Sequence, residues 1–384
     1  MSIISAQLLS LQIKEDKCFL IDNDRKKEFE INQTIYFLLI CFENVTLIES
    51  AKTIFSSKID EGNTDKVNDI IESFIKSLFE KQVIVNCETF SKKRQSLQNT
   101  PIKDIHPRIN GYKFHKRLYN SSKSAVSIFI NKSTNKKVII KAYYGKNNSI
   151  TAEKIRHEVD ILEKASKIDE VIRVLNYRLE NDDEQKDNFV VLEYFNAKSL
   201  LSSIIRKKLN LIKKLMYFDI IIGAYSKLFL INILHGDIHP NNILIDTKNE
   251  TLKLIDFGES ILIPYTNDKN AGLSYFCPPE RLNKTSFNKF KHPINPIGEV
   301  YQISLLLYFM LCGKIPFSGE KWSELSKSIR DWEFQPIKIK GLGKLVSNEI
   351  NNFLRIGLNR DLKIRFENAT EMTTYWKQIY QKQS

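Results

Sequence analysis

Apolar residues form short runs in some parts of the chain and recur at helical spacing in others. The runs 138–143 and 189–195 are rich in β-branched and aromatic residues and predict strands. Between them, Ile155, Val159 and Leu162 share one helix face and predict a helix over 152–165.

A hairpin is predicted where the apolar runs 243–245 and 252–255 flank a polar turn. In an antiparallel hairpin, the start of the first strand and the end of the second are neighbours. Asn242, just before the first strand, and Asp256, just after the second, are therefore expected side by side. Two oxygen ligands at one point suit Mg²⁺ that is held together with nucleotide phosphates.

The first ninety residues have a different pattern, which is typical of a small winged helix. It predicts strands over 7–13, 18–22 and 82–85 and helices over 33–42, 46–55 and 67–80. A polar segment with two prolines follows and predicts a linker. The expected domains are therefore 1–90, the linker 91–110, and 111–384.

Charge separates the first part from the rest. Residues 1–90 carry 10 Lys or Arg and 15 Asp or Glu, whereas the remainder carries 48 and 30. The acidic first part argues against nucleic acid as its ligand, because DNA rewards clusters of Lys and Arg. Five scattered cysteines and a start without a charged n-region predict a cytoplasmic protein with reduced thiols. No membrane span is expected, since the apolar stretch 215–234 contains Asp219 and Lys227.

The order His235-Gly-Asp-Ile-His-Pro-Asn-Asn242, hairpin, Asp256-Phe-Gly258 resembles the catalytic core of the protein kinase superfamily. Either tripeptide alone is better explained as a turn or a loop, but the two in order favour the resemblance. It implies an α+β protein with a bilobal kinase fold, preceded by the small winged helix, that uses ATP and Mg²⁺. Asp237 would accept the proton of a substrate hydroxyl, and Asn242 and Asp256 would hold the metal. His239 stands where serine/threonine kinases keep a lysine that steadies the transferred phosphate.

Lys141 lies inside an apolar run, where an unpaired ammonium group would be costly. Glu158 borders the apolar face of the predicted helix and is the expected counter-ion, although a solvated edge lysine is the alternative. The resemblance assigns Lys141 to phosphate binding and Glu158 to orienting it. The segment 189–195 resembles the hinge between a small lobe, 111–192, and a large lobe, 196–384. Backbone groups of Glu193 and Phe195 would then bind adenine.

Several positions depart from the kinase pattern. The phosphate-covering loop falls on 119–126 and contains no glycine, so Ser121, Ser124 and Val126 would take its place over the nucleotide. Gly236 replaces the arginine that usually receives an activation-loop phosphate, which suggests that loop phosphorylation is not the on-switch. Glu299 replaces an aspartate by one methylene.

Two further positions indicate a peptide substrate. The resemblance pairs Glu280 with Arg365 beneath a peptide-binding shelf, which small-molecule phosphotransferases generally lack. The first ninety residues resemble the PqqD-like leader-peptide recognition element of ribosomal peptide modification systems, although a plain dimerisation or docking domain is an alternative. The motif His235-Gly-Asp-Ile-His-Pro-Asn-Asn242 also resembles the kinase module of multidomain lanthipeptide synthetases.

We therefore expect a leader-guided kinase of serine or threonine hydroxyls in a ribosomal precursor peptide. The alternatives are a general serine/threonine signalling kinase, a small-molecule phosphotransferase and a pseudokinase scaffold.

Overall fold

In the computed structural model, the side chains and backbone are described for 109–120, 124–143, 148–179, 188–206, 208–264, 274–282, 293–318 and 322–381, apart from a few side chains at element ends. Within the first 108 residues, only the backbone of short strands is described. The chain divides into two compact units, one built on residues 1–106 and the other on 107–318 and 325–384. The domain boundaries at 90 and 110 stay a prediction.

The strands described in the first unit form two small antiparallel sheets. Strands β1 (Ser2–Ile3) and β5 (Thr46–Leu47) form one, and β2 (Leu9–Lys14), β3 (Lys17–Asp22) and β4 (Lys27–Ile31) form the other. The strands predicted at 7–13 and 18–22 are confirmed within two residues. The helix predicted over 46–55 is wrong at its start, because β-branched Thr46 pairs in register with Ile3. The other helices predicted in 1–90 and the strand at 82–85 lie outside the described residues.

The second unit opens with a five-stranded antiparallel sheet in the order β6, β7, β8, β10, β9. Its strands are β6 (Tyr112–Asn120), β7 (Ser124–Asn131), β8 (Lys137–Tyr143), β9 (Val174–Arg178) and β10 (Asn188–Glu193). The strand predicted over 189–195 ends earlier, at Glu193. Beyond it the chain turns, since the Ala197 N–H donates to the carbonyl of Phe195 at 2.9 Å.

Helix α1 (Asn148–Lys164) lies in the same lobe as this sheet and confirms the predicted helix with a few more residues at its start. Its apolar positions Ile155, Val159 and Leu162 are each at most 1% exposed, as their spacing predicts. Glu158 is also only 1% exposed, so this helix carries a carboxylate into the interior of the lobe. A buried carboxylate needs a partner, and the partner defines the site described below.

Helices dominate the rest of the second unit. They are α2 (Leu200–Ile205), α3 (Leu211–Leu230), α4 (Pro296–Cys312), α5 (Trp322–Asp331), α6 (Lys344–Gly357) and α7 (Ala369–Gln381). Rings from three of these helices meet edge to face, with Trp376 4.7 Å from Phe218 and 5.3 Å from Phe353 between centroids. None of the helices in the described part of the chain combines the length and the apolar character that crossing a bilayer requires.

Short strands link the helical part to the sheet lobe. They are β11 (Lys198–Ser199), β12 (Ile233–Leu234), β13 (Ile243–Asp246), β14 (Thr251–Leu254) and β15 (Ile261–Leu262). The order β11, β13, β14 makes one small sheet, and β12 pairs with β15. The predicted hairpin is confirmed, because β13 and β14 are antiparallel with Ile243 opposite Leu254.

Helix α4 is buried over most of its length, and its ends explain why it starts and stops where it does. Asn295 caps the first turn, since its Oδ1 accepts the Gly298 N–H at 2.7 Å, and Pro296 follows at the position where a missing N–H does no harm. Gly313 ends the helix with a φ of +72°. This rigid helix therefore carries Glu299 to a fixed place beneath the neighbouring loop.

The predicted ion pair between Glu280 and Arg365 is confirmed. The two terminal nitrogens of the Arg365 guanidinium group donate to the Glu280 carboxylate, at 2.7 and 2.9 Å. The arginine side chain is 0% exposed, and that of Glu280 is 19% exposed. The guanidinium also lies over the ring of Tyr301, 4.8 Å from its centroid. The pair therefore ties the short 3₁₀ turn Pro279–Arg281 to the segment before α7.

Removing one partner of this pair is expected to destabilise the protein strongly. Arg365→Ala should lower the free energy of unfolding by about 3–5 kcal/mol, because it leaves the Glu280 carboxylate without its bidentate donor in a largely buried place. Arg360→Ala is the matched control, since Arg360 pairs with Glu333 at the surface, where the cost is below about 1 kcal/mol. Urea denaturation measures both, and equal losses would contradict the assigned role.

Candidate active site

The hairpin brings the two ends of the candidate site together through its backbone. The N–H of Ile255 donates to the carbonyl of Asn242 at 2.9 Å, so the residues that flank the two strands are adjacent, as the sequence predicts. Asp256 follows with a φ of +65°, a left-handed conformation that is uncommon outside glycine. Such backbone strain is tolerated where the surrounding structure enforces it.

Asp237 is held by two neighbouring side chains of its own loop. The Asn242 amide nitrogen donates to the Asp237 carbonyl at 3.0 Å and to its Oδ2 at 3.2 Å. His239 Nε2 lies 3.3 Å from the same Oδ2. Because Nδ1 of His239 accepts the Asn241 N–H at 3.3 Å, the proton of the neutral imidazole sits on Nε2, facing Asp237. The structure thus brings together the three residues for which the sequence predicts catalytic roles.

His235 forms the buried base of this loop. Its Nε2 donates to the carbonyl of Ile255 at 3.1 Å, and its Nδ1 accepts the Asp237 N–H at 3.3 Å. Burial lowers the pKa of His235, so the ring is neutral and can accept at Nδ1. The ring also packs on Phe257, 4.7 Å away between centroids. One imidazole therefore links the loop of Asp237 to the segment that carries Asp256.

Lys141 joins the sheet lobe to the hairpin. Its Nζ lies 2.9 and 3.0 Å from the two carboxylate oxygens of Glu158 and 2.8 Å from Oδ1 of Asp256. Burial works against the charge on Lys141, but the two carboxylates outweigh it, so its pKa lies well above the ordinary value. The ammonium in turn lowers the pKa of Asp256. The predicted pair is confirmed, and the sequence did not predict the third partner.

The donor set fits a hard divalent cation. Both acceptors around the Asn242 amide belong to Asp237, so the end that meets them must be the NH₂ group, and Oδ1 is the end left for a ligand. The Asp256 side chain is 51% exposed and stays ionised beside Lys141. One carboxylate and one amide oxygen are too few to enclose Mg²⁺, which suits an ion that takes its other ligands from phosphates and water.

The strand that follows the predicted phosphate loop lies beside Lys141. Val126 is opposite Lys141 in the register of β7 and β8, and Ser124 is opposite Tyr143. Val126 and Ser124 therefore lie beside the position that a nucleotide bound by Lys141 would occupy. Their contact with the nucleotide stays a prediction. Ser121 lies outside the described residues.

Glu193 and Phe195 stand at the junction of the two lobes. The Glu193 carboxylate lies 2.8 Å from Nζ of Lys253 and accepts the Arg173 N–H at 3.0 Å, and its own N–H donates to the Arg173 carbonyl at 2.9 Å. The side chain thus braces the junction rather than facing a ligand. Adenine binding by the backbone groups of Glu193 and Phe195 stays a prediction.

Gly236 occupies a position that no other residue could adopt without strain. Its φ is +80°, and an added Cβ would lie 2.5 Å from the carbonyl oxygen of Glu259 and 2.6 Å from Ile294 Cδ1. Its N–H donates to Oε1 of Glu299 at 2.8 Å. Burial raises the pKa of Glu299 to about 7, and the donated backbone N–H groups oppose that rise. The backbone conformation of the loop therefore requires a glycine at position 236. This requirement is separate from the absence of an arginine side chain there.

Two residues that the sequence interpretation missed complete the site. Tyr143 donates to Oε2 of Glu158 at 2.5 Å, and His157 Nε2 donates to the carbonyl of Ser260 at 2.6 Å. Tyr143 stands two positions after Lys141 and could have been found from the two-residue period of a strand. The His157 contact joins residues 103 apart in the chain, and no local pattern signals it.

Comparison with known proteins agrees with this geometry. A family model described as the protein kinase domain matches residues 112–377. Myosin light chain kinase A of Dictyostelium discoideum is 28% identical over 268 residues, which cover 65% of this chain and 84% of that protein. A probable serine/threonine-protein kinase KIN1 homolog of Enterocytozoon bieneusi is 31% identical over 187 residues, 47% of this chain and 29% of the relative.

More distant similarities point the same way. A probable serine/threonine-protein kinase of Clostridium perfringens is 24% identical over 239 residues, 59% of this chain and 32% of the relative. The chain thus spans about a third of the length of two of these three relatives. Among solved structures, the Cydia pomonella granulovirus kinase PK-1 matches 76% of this chain and 98% of its own at a TM-score of 0.53 and 18% identity, which shows the fold alone.

Proposed function

The chain belongs to the protein kinase family, and on that premise we propose that it transfers the γ-phosphoryl group of ATP to serine or threonine hydroxyls of a peptide. The relatives from Enterocytozoon bieneusi and Clostridium perfringens are both described as probable serine/threonine-protein kinases. The observation that carries the proposal is that Asn242 holds Asp237 and is hydrogen-bonded to the residue before Asp256, while Asp256 pairs with Lys141.

Asp237 is the proposed general base. It takes the hydroxyl proton as the substrate oxygen forms its bond to the γ-phosphorus, and the bond from that phosphorus to the bridging oxygen breaks to release ADP. Asn242 fixes the carboxylate of Asp237 in position through its amide nitrogen. His239 places a donor 3.3 Å from the same oxygen, so it orients Asp237 and, when protonated, adds positive charge near the transferred phosphate.

The nucleotide is held by the groups around Lys141. Its ammonium group binds phosphate oxygens, and Glu158 keeps it aligned. Asn242 and Asp256 would hold Mg²⁺, which neutralises phosphate charge when bound. Val126, Ser124 and Ser121 would cover the phosphates from the sheet lobe, and Glu193 and Phe195 would bind adenine through their backbone groups.

The first ninety residues supply the proposed substrate selectivity. Their resemblance to PqqD-like elements supports capture of a precursor's leader peptide as an added strand, and the antiparallel strands β2, β3 and β4 offer the kind of sheet that such a strand extends. Capture raises the effective concentration of the core peptide, so the catalytic cleft needs little selectivity of its own. The bidentate pair of Glu280 and Arg365 supports a peptide rather than a small molecule as acceptor.

The catalytic role of Asp237 predicts a large loss of turnover on removal of its charge. Asp237→Asn should lower kcat for peptide phosphorylation by about 10²–10⁴-fold, because the amide cannot accept the hydroxyl proton. Asp331→Asn, at an exposed position at the end of α5, is the matched control and should leave kcat unchanged. ATP turnover by the wild type that does not exceed that of Asp237→Asn would contradict this role and support a pseudokinase scaffold instead.

Leader recognition predicts a substrate effect that depends on residues 1–90. For synthetic peptides encoded by short reading frames beside the gene, the full chain should phosphorylate the leader-bearing form with a kcat/KM about 10²-fold above the core peptide alone. Free leader added in trans should inhibit the first reaction and spare the second. A chain of residues 91–384 should treat both peptides alike. Equal phosphorylation of both peptides by the full chain, with activity intact after deletion of residues 1–90, would favour a general signalling kinase, whose substrates carry no leader.

A further inference from the structure

Tyr143 and Lys141 present two donors to one carboxylate from a single strand. They are two positions apart on β8, so both side chains leave the same face of the sheet. The Tyr143 hydroxyl donates to Oε2 of Glu158 at 2.5 Å, and Lys141 Nζ lies 2.9 and 3.0 Å from its two oxygens. The ammonium group also lies 5.4 Å from the centroid of the Tyr143 ring. Glu158 is thus held by strand β8 at two points.

The phenol can act only as a donor in this contact. Burial and the adjacent carboxylate raise the pKa of Tyr143, so it keeps its proton throughout the physiological range. A hydroxyl that donates to an ionised carboxylate makes a short, charge-assisted hydrogen bond, which is stronger than a bond between neutral groups. The contact therefore adds a restraint on helix α1 that is independent of the ammonium group.

Helix α1 is also tied to the segment that follows Asp256. His157, the neighbour of Glu158, donates to the carbonyl of Ser260, and the Ser260 hydroxyl donates to the carbonyl of His235 at 2.9 Å. The helix is thus anchored on one side to β8 and on the other to the loop of Asp237. Neither anchor requires a phosphorylated side chain.

We propose that Tyr143 is a positioning residue that keeps Glu158 on Lys141, so that helix α1 holds its nucleotide-binding position without a phosphate on the segment after Asp256. The proposal rests on the proposed kinase function and adds to it how the active arrangement is maintained. It agrees with Gly236, which has no side chain to receive such a phosphate. Strand β8 then has two roles, since Lys141 binds phosphate and Tyr143 positions Glu158.

Removal of the hydroxyl alone tests the proposal. Tyr143→Phe should raise the KM for ATP about tenfold, which corresponds to the loss of one hydrogen bond to a charged group, while the KM for peptide stays unchanged. Tyr177→Phe is the matched control, because Tyr177 is a tyrosine of the same sheet that is 44% exposed. An unchanged KM for ATP in Tyr143→Phe would overturn the proposal, and so would an equal rise in both KM values.

A double-mutant cycle separates positioning from a general structural role. In the Glu158→Ala background, Tyr143→Phe should have no further effect on the KM for ATP, because the carboxylate through which it acts is gone. An additive effect would show that Tyr143 acts by another route. The cycle therefore tests the assigned partner as well as the residue.

Amide hydrogen exchange provides a readout that does not need turnover. In nucleotide-free protein, residues 148–164 should exchange several-fold faster in Tyr143→Phe than in wild type or Tyr177→Phe. Unchanged exchange would contradict the proposal. A wild-type protein that fails to turn over ATP would refute the kinase function, while the exchange rates would still decide whether Tyr143 restrains helix α1.

Discussion

The charge of Lys141 is the constraint on which the arrangement of the cleft depends. Its side chain is only 15% exposed, so the ammonium group needs carboxylates, which come from helix α1 and from the segment just after β14. Glu158 belongs to the sheet lobe, and Asp256 belongs to the hairpin of the helical part. The charge on Lys141 thus fixes the distance between β8 and α1, which would bind phosphate, and the segment of Asp256, which would hold Mg²⁺.

The loop of Asp237 is shaped by the backbone conformation of Gly236 together with the side chains of Glu299 and His235. Gly236 takes a left-handed conformation at a point where a Cβ would collide with Glu259 and Ile294, and its N–H donates to Glu299 on α4. The extra methylene of a glutamate at position 299 is therefore compatible with the contact to this loop. Helix α4, which is buried and capped at both ends, lies below the loop, and the neutral His235 lies beside it. Asp237 therefore has little freedom to move.

Local patterns were sufficient for much of this site. The hairpin brought Asn242 and Asp256 together as predicted, because pairing geometry acts between residues close in sequence, and Lys141 was matched with Glu158 because a buried charge must be neutralised. Contacts that depend on the path of the whole chain were missed, among them Asp256 on Lys141 and His157 on Ser260. The start of the helix predicted over 46–55 was wrong because pairing with a distant strand overrode local helical spacing.

The central claim is that Asn242 and Asp256 share one Mg²⁺ ion with a nucleotide that Lys141 holds. A crystal structure with Mn²⁺ in place of Mg²⁺ and a non-hydrolysable ATP analogue tests it most directly, because Mn²⁺ gives an anomalous signal. The account predicts a peak about 2.0–2.3 Å from both Asn242 Oδ1 and an Asp256 carboxylate oxygen, with the phosphates against Lys141 Nζ. A nucleotide bound with its metal away from these two residues, or no nucleotide in the cleft at all, would contradict it.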